Sequence, residues 1–448
     1  MSKLIGLVVA ATLSACASSQ GVQRLPRDAL PAAWETATSS ATGGSAWVSV
    51  FADPVLQRLL ATAKARNLDL RIAAARIQEA RALERAAGAA LAPELDASVG
   101  ASYGRSKGAA SPSFGLRLSA SWEPDLLGRL GSAERAAHAQ SAASEADRGA
   151  VELLLLAQVA ETYVEFRLRR AQHGLSLRTV ESQAGTVRIT RARFEQGLAS
   201  RLDLERALTA LSITRARIPQ AVELASAARH RLALLLAEPP EWVTQALGED
   251  RPLPDSNVVE VLGAPAEVIR SRPDVRAAEW RFESALARRE GAEALRYPRL
   301  DLAGMIGLET GDLGVLLDPI SIVGSLGAGL VAPLIDFGRI RAQIEVADAR
   351  QEQAYLAYEQ TVRGALEEAQ TAIMSYTQGV LRQKELEAAV ASAGRAAKLA
   401  KLQYGAGALS LLEVLDAERS LQDAELSWSQ ATADVSVRLI ALHRTLGG

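Results

Sequence analysis

The chain has 448 residues and one cysteine, Cys16. No disulfide can form within it, and a metal centre built from cysteine thiolates is excluded. An excess of charge of one sign is also missing. Lys+Arg 50 stand against Asp+Glu 52, mixed along the chain to a net charge of −2, so there is no basic footprint for nucleic acid. After the first 15 residues no apolar run reaches the ~20 residues that a spanning helix requires, and any membrane crossing has to be made by β-strands. No glycine-rich loop ends in Lys-Ser/Thr, so nucleotide phosphates have no cradle. His138, His173, His230 and His443 are scattered at no metal-ligand spacing and stand beside no plausible nucleophile. The sequence therefore reads as a non-enzyme that uses no cofactor. Proline, finally, is absent from 129–196 and from 339–404. In windows dominated by alanine, leucine, glutamate, arginine and glutamine, that absence predicts very long helices.

What is present begins at the N-terminus. Lys3 precedes a short apolar run, Leu4 to Leu13, which leads into Leu13-Ser14-Ala15-Cys16. The run is too short to span a bilayer and has the form of a secretory signal. The four residues resemble the lipobox of bacterial lipoproteins. That resemblance implies cleavage before Cys16 and a covalent lipid on Cys16, whose chains bury roughly 0.8 kcal/mol per CH₂ in a bilayer. Ala17 in place of aspartate implies sorting to the outer membrane.

The chain also repeats itself. Asn67-Leu68-Asp69-Leu70-Arg71 aligns with Arg272-Pro273-Asp274-Val275-Arg276, and the offset continues through Arg76 with Arg281 and Pro93 with Pro298. A second register pairs Phe194, Gly197, Ser200 and Asp203 with Tyr404, Gly407, Ser410 and Glu413. Units this long are whole structural halves rather than solenoid repeats. Each half has one order. A helix, about 53–91 or 273–296, precedes two period-two segments joined by a Gly/Ser-rich loop, 104–113 or 309–319. In the first half Leu95, Ala97, Val99, Ala101 and Tyr103 alternate with polar or small residues, as do Phe114, Leu116, Leu118, Ala120 and Trp122. Turns at Gly128-Arg129 and Gly338-Arg339 then open helical windows that extend on the order of 100 Å. Tyr355, Tyr358, Val362, Ala365, Ala369, Ala372 and Tyr376 step alternately by three and four, the pattern of a coiled-coil seam. Gly197 and Gly407 reverse the chain into return helices, the first interrupted at Pro219.

Strands of about ten residues with one apolar face can cross a bilayer at a tilt, but only in a closed barrel, for which single-chain bacterial examples use at least 8 strands. One chain has too few. Its open sheet edges would cost several kcal/mol per unpaired group in lipid, so the chain is expected to assemble into a shared barrel. Tyr103, Phe114 and Trp122 are expected at strand ends, where an aromatic girdle would lie.

These features, with Phe51-Ala-Asp53-Pro54, Asn67-Leu-Asp69-Leu-Arg71, Arg272-Pro273-Asp274, Arg193-Phe194-Glu-Gln-Gly197 and Leu412-Glu413-Val-Leu415-Asp416-Ala-Glu-Arg419, resemble the TolC-like outer-membrane efflux factors in their lipoprotein branch. The resemblance covers nearly the whole mature chain. It implies a mainly α fold with transmembrane β, in which a duplicated helix, strand pair and long helical hairpin build a homotrimer with a twelve-stranded β-barrel continuous with a periplasmic α-helical barrel. It divides the chain into a signal peptide (1–15), a lipidated equatorial segment (16–53), a first repeat (54–237), an equatorial linker (238–272) and a second repeat (273–448). The first repeat holds strands at about 94–104 and 113–123 and a hairpin at about 129–236; the second holds strands at about 299–309 and 320–331 and a hairpin at about 339–446. Trp34, Trp47 and Trp242 fall in the equatorial segments, expected to form a belt around the helical barrel.

The implied function is passive export of small molecules such as drugs through the outer membrane, opened at the periplasmic tip by a periplasmic adaptor and an inner-membrane pump. By the same resemblance Asp416 would form an acidic ring at the aperture and Leu412 an apolar constriction. Tyr404 and Arg419 would link neighbouring helices, and Gly197, Ser200, Asp203, Gly407, Ser410 and Glu413 would form the adaptor-docking turns. From the residues alone Asp416 and Arg419 read first as a local i,i+3 pair on a solvated helix face, and the turn residues as ordinary caps. A duct for protein secretion and a lipid-anchored periplasmic adaptor or scaffold remain alternatives.

Overall fold

The computed structural model describes Phe51 and residues 53–106, 109–248, 251–253 and 265–447. Cys16, Trp34 and Trp47 lie outside the described residues. The first helix, α1 (Pro54–Arg66), starts where Asp53 Oδ1 accepts from the Val55 and Leu56 N–H groups at 2.8 and 3.4 Å, with Pro54 in the first turn. Leu56, Leu59, Leu60 and Ala63 form its buried stripe. The single helix expected from 53 to 91 is in fact two. Asn67 leaves the helical region at ψ 137°, and its Oδ1 caps α2 (Leu68–Ala89) at the Leu70 N–H, 3.1 Å away. Its Nδ2 donates to the Leu235 carbonyl at 2.8 Å. One local cap and one tertiary bond from a single amide outweigh the gain from continuing the helix. Arg272, its counterpart in the second repeat, has the same extended backbone (ψ 131°) ahead of a later helix but no side-chain cap bond; its guanidinium donates to the Thr445 carbonyl at 3.0 Å.

Strands β1 (Glu94–Ser106) and β2 (Ala109–Trp122) form the first hairpin, so the loop expected over 104–113 is mostly strand. Pro112 is tolerated because β2 pairs with the second repeat only from Phe114 onward, leaving that stretch outside the central ladder. Phe114 accordingly sits inside a strand, opposite Ala101, and not at a strand end. Strands β3 (Arg299–Thr310) and β4 (Ile322–Val331) form the second hairpin; Ile320 and Ser321 belong to a 3₁₀ turn before it. All four strands make one antiparallel sheet in sequence order, with β2 and β3 joining the repeats. The register is in phase. Val99, Leu116, Leu308 and Ile322 lie in one cross-strand row, and Ala97, Leu118, Ile306 and Gly324 in the next, whereas Ser98, Arg117, Gly307 and Val323 share the opposite face. Val99 at 82% and Leu326 at 90% exposure show that no described element covers the apolar side. Among the described residues no helix is long and apolar enough to cross a membrane.

Beyond each strand pair the chain turns through Gly128 (φ 76°) and Gly338 (φ 87°) into α3 (Arg129–Glu195) and, in the second repeat, α8 (Arg339–Gly405), each of 67 residues. One aspartate caps each start. Asp125 accepts from Leu130 and Gly131 at 3.0 and 2.7 Å, and Asp336 from Gly338 and Ile340 at 3.0 and 2.8 Å. The backbone donors hold the Asp336 carboxyl below the usual carboxylate range. The return helices are α4 (Arg201–Leu236) and α9 (Leu411–Thr445). The interruption expected at Pro219 does not occur: α4 runs through it, and because Pro219 is exposed, the carbonyl deprived of its helical donor can turn to solvent. Between the repeats lie α5 (Pro240–Leu247) and α6 (Pro265–Ser271), and α7 (Pro273–Ala294) opens the second repeat.

The main core sits midway along the long helices, where Phe51, α1 and α5 pack on α3, α4, α8 and α9. Trp242 is packed against it. The stepped residues of α8 divide between two partners. Tyr358, Val362 and Ala365 cluster with Ile269, Val275 and Ala278, while Ala369 and Ala372 enter the main core. The belt is pinned to α3 by polar groups: Tyr163 Oη contacts Asp53 Oδ2 at 2.5 Å, and Arg167 donates to Tyr163 Oη at 2.9 Å and to the Leu247 carbonyl at 3.3 Å. Burial, aided by Asp53, pushes the Tyr163 hydroxyl up to about 12.

One glycine is needed for close approach in the sheet. A Cβ at Gly307 would lie 2.4 Å from the Leu116 carbonyl oxygen, whereas one at Gly100 meets nothing within 4 Å. Gly307→Val should destabilise the sheet by roughly 1–3 kcal/mol, and Gly100→Ala should be tolerated. The midpoint of heat-induced loss of β-sheet circular dichroism separates the two variants.

Candidate functional site

The far end of the molecule is built by two matching turns. Gly197 (φ 75°) and Gly407 (φ 79°) supply the left-handed residue that ends α3 and α8, and helix-end carbonyls are taken up by Leu198 N–H to Arg193 at 2.8 Å and Ala408 N–H to Gln403 at 2.9 Å. Capping boxes open the return helices. Ser200 Oγ accepts from the Asp203 N–H at 3.1 Å while Asp203 Oδ2 accepts from the Ser200 N–H at 3.1 Å. Ser410 and Glu413 repeat the arrangement, with the Ser410 N–H donating to Glu413 Oε2 at 2.8 Å and the Ser410 hydroxyl bonded to the same carboxylate. Those two donors hold the Glu413 carboxyl below its ordinary range. Gly197, Ser200, Gly407, Ser410 and Glu413 are exposed and Asp203 is half-buried. The six residues therefore form one accessible double tip.

On α9, Leu412, Asp416 and Arg419 recur at i, i+4 and i+7 and make one exposed stripe. Arg419 Nη2 donates to Asp416 Oδ1 at 2.6 Å, with the side chains 72% and 61% exposed. Arg419 thus pairs within its own helix and, among the described residues, with no neighbouring one. Tyr404 behaves differently. It is buried, its hydroxyl lies 3.1 Å from Thr190 Oγ1, and Arg193 stacks 4.8 Å above its ring while donating to its carbonyl at 2.6 Å. These contacts tie the second hairpin to α3 of the first.

Sequence reasoning missed the polar group that joins three helices just above the tip. Glu418 is 5% exposed, and its Oε1 accepts from Lys401 Nζ at 2.8 Å, Thr186 at 2.9 Å and Ser182 at 3.4 Å. Lys401 also contacts the Ser182 hydroxyl. Glu418 Oε2 is buried without a hydrogen-bond partner. The signal was present in helical phase: Leu411, Val414, Glu418 and Gln422 recur at the spacing of the buried face, opposite the Asp416 stripe.

Removing one partner of a buried pair strands the other charge. Lys401→Met should cost about 3 kcal/mol, the low end for such a change because Lys401 is itself partly exposed, and thermal unfolding of the variant measures it. The Glu413 cap has its own pH window. A carboxyl whose folded pKa is depressed stabilises above the unfolded value of about 4.3 and loses that contribution as pH falls through the lower folded value. Amide exchange in the first turn of α9 should therefore accelerate in that acid range in the native protein and be fast already at neutral pH in Glu413→Ala.

With this geometry in view, comparison with known proteins is direct. The model of the outer membrane efflux protein family matches residues 59–238 and 264–448. The pyoverdine export outer membrane protein OpmQ of Pseudomonas putida is 32% identical over 440 residues, 93% of this chain and 92% of that protein. The cation efflux system protein CusC of Escherichia coli is 28% identical, covering 100% of this chain and 98% of that protein. Among solved structures, the outer-membrane channel OprN superposes with a TM-score of 0.89 at 31% identity, over 95% of this chain and 98% of that one. The outer membrane protein VceC of Vibrio cholerae gives 0.84 at 25% identity, over 91% and 99%. The four-stranded sheet and long helical hairpins are therefore one protomer's share of a β-barrel continuous with an α-helical barrel, and the chain belongs to the outer membrane efflux protein family, as an outer-membrane channel for efflux.

Proposed function

We propose that the chain is the passive exit duct of a tripartite efflux system, a homotrimer anchored by lipid on Cys16, that carries small toxic molecules delivered by an inner-membrane pump. The observation that supports this best is the sheet. It has an uncovered, in-register apolar face and two edge strands, β1 and β4, each with a single partner. Such a sheet is stable in lipid only when copies join edge to edge, and three copies of four strands make a barrel of ordinary size. No step breaks a bond, and no cofactor is needed. The protein supplies a wall and a gate, and the energy comes from the pump.

The gate is the α9 stripe. In a trimer the three Asp416 carboxylates would face one axis at the tip, repel one another and draw cations, as charged pore rings do. Leu412, one turn nearer the tip, would narrow the same passage with apolar surface. The capped turns at Gly197, Ser200, Asp203, Gly407, Ser410 and Glu413 present exposed, ordered backbone to a periplasmic adaptor. Tyr404 with Thr190 and Arg193 keeps the two hairpins of one chain in register while that tip moves. Adaptor engagement would separate the stripes of neighbouring chains.

Single-channel conductance in a planar bilayer tests this reading. The native protein should give a small conductance that rises several-fold in Asp416→Ala. Channels unchanged by the substitution would remove the gate from Asp416 and leave the duct, and folded protein that never inserts would count against the duct itself. Incorporation of labelled fatty acid into the native chain and its loss in Cys16→Ala tests the anchor.

A further inference from the structure

A groove of about 430 Å³ lies where the hairpins meet, lined by Arg169, Gln172 and Ser176 of α3, Arg217 and Gln220 of α4, Arg382 of α8, and Ser427 and Gln430 of α9 among others. None of its lining residues is acidic. Among the described residues neither Arg217 nor Arg382 forms an ion pair. Arg169 reaches Glu165 only at 3.8 Å, and that carboxylate is shared with Arg231 at 3.5 Å. The guanidinium nitrogens Arg169 Nε and Arg217 Nη1 are closed to solvent and lack a hydrogen-bond partner. Buried donors of this kind ordinarily find an acceptor; Arg169 Nη1 has one in Gln172 Oε1 at 3.1 Å, and the other guanidinium nitrogens of the three arginines line one polar groove.

The side of the wall on which the groove opens follows from helical phase. On α3, Tyr163 and Arg167 point to the belt, through Asp53 and the Leu247 carbonyl. At about 100° per residue, Arg169, Gln172 and Ser176 point roughly 140–200° away from Arg167, which is the opposite face of the helix. On α4, Arg229 reaches Thr244 of the belt at 3.3 Å, and by the same count Arg217 and Gln220 face well away from it. A belt of short helices packed inside a duct would obstruct it, so the belt is the outer layer and the groove opens to the lumen.

We infer that this arginine groove is a luminal binding site for small solutes bearing two or more anionic oxygen groups, carboxylate or phosphate. Guanidinium forks match both groups with paired, charge-assisted hydrogen bonds, and the glutamine and serine side chains accept or donate to whatever polar substituents remain. The site rests on the duct reading for its luminal position, not for its chemistry. With the acidic stripe at the tip and arginines further along the wall, a departing anion would pass from a repelling ring to an attracting one. An anion held there would be screened by salt less than at an open surface, because guanidinium nitrogens of Arg169 and Arg217 are already out of water.

The test uses the full chain purified in detergent, with pyrophosphate and citrate as separate probes in titration calorimetry. The native protein should bind at least one of them saturably. Arg217→Gln/Arg382→Gln should weaken that binding by about tenfold or more, and Arg217→Lys/Arg382→Lys should recover part of it. If only pyrophosphate binds, the site is for phosphates; if only citrate, for carboxylates. No saturable binding to folded native protein, or equal binding by the glutamine variant, overturns the site. In planar bilayers the bound probe, added on the β-barrel side, should reduce native single-channel current and leave the variant's current unaffected. Binding without any effect on current would overturn the luminal placement alone. Binding by a protein that forms no channel would count against the duct and leave the receptor chemistry standing.

Discussion

The unpaired backbone at the two edges of the β-sheet is the constraint on which the rest of the architecture depends. A four-stranded sheet satisfies its inner ladders and leaves one row of N–H and C=O groups at β1 and another at β4. In water such edges are a hazard, and in lipid they cost several kcal/mol per unpaired group. The apolar face makes water unsuitable and the edges make lipid unsuitable for a single chain. Closure with further copies resolves both demands, and the duplicated sequence becomes intelligible as two hairpins spliced at β2 and β3 into one continuous segment of wall.

A wall segment of this kind must carry its geometry from the sheet to the tip, and the structure does so with the same devices used twice. A left-handed glycine and a capping aspartate convert each strand pair into a long helix, at Gly128 with Asp125 and at Gly338 with Asp336. A second left-handed glycine and a capping box reverse each helix at the tip. Local chemistry thereby sets where the helices begin and end, and because each is 67 residues long, the two tips arrive at the same height. Duplication alone would make the hairpins equivalent. They are not, because Asp416 of the second aligns with Arg206 of the first, and because buried Glu418 and Tyr404 of the second reach into α3 of the first.

Polar groups are placed on the long helices according to which face they occupy. Facing the belt, Tyr163 and Arg167 are hydrogen-bonded to Asp53 and to the Leu247 carbonyl and pin that layer. Between hairpins, Glu418 and Lys401 neutralise each other in a packed interior where an isolated charge would be costly. On the face away from the belt, arginines stand around a groove with donors left over. Spare donors on the face away from the belt suit a conduit, whose inner surface meets its partners only in passing.

Much of this was legible in the residues themselves. Period-two alternation located the strands, absence of proline bounded the long helices, and the offset between Asn67 and Arg272 exposed the duplication, because each rests on a local rule that tertiary context rarely overrides. The extent of the first hairpin was misread at 104–113, since glycine, serine and proline mark turns only when no neighbouring strand recruits them. The break at Asn67 was missed for a related reason: its second hydrogen bond goes to Leu235, 168 residues away. Glu418 and the arginine groove belong to the same class. Sequence by itself determined the elements, their order and their doubling, all set by interactions a few residues apart. Only the tertiary structure decided which charges are paired, which are buried and which face the open side of the wall, because those outcomes depend on side chains brought together from helices more than 200 residues apart in the chain.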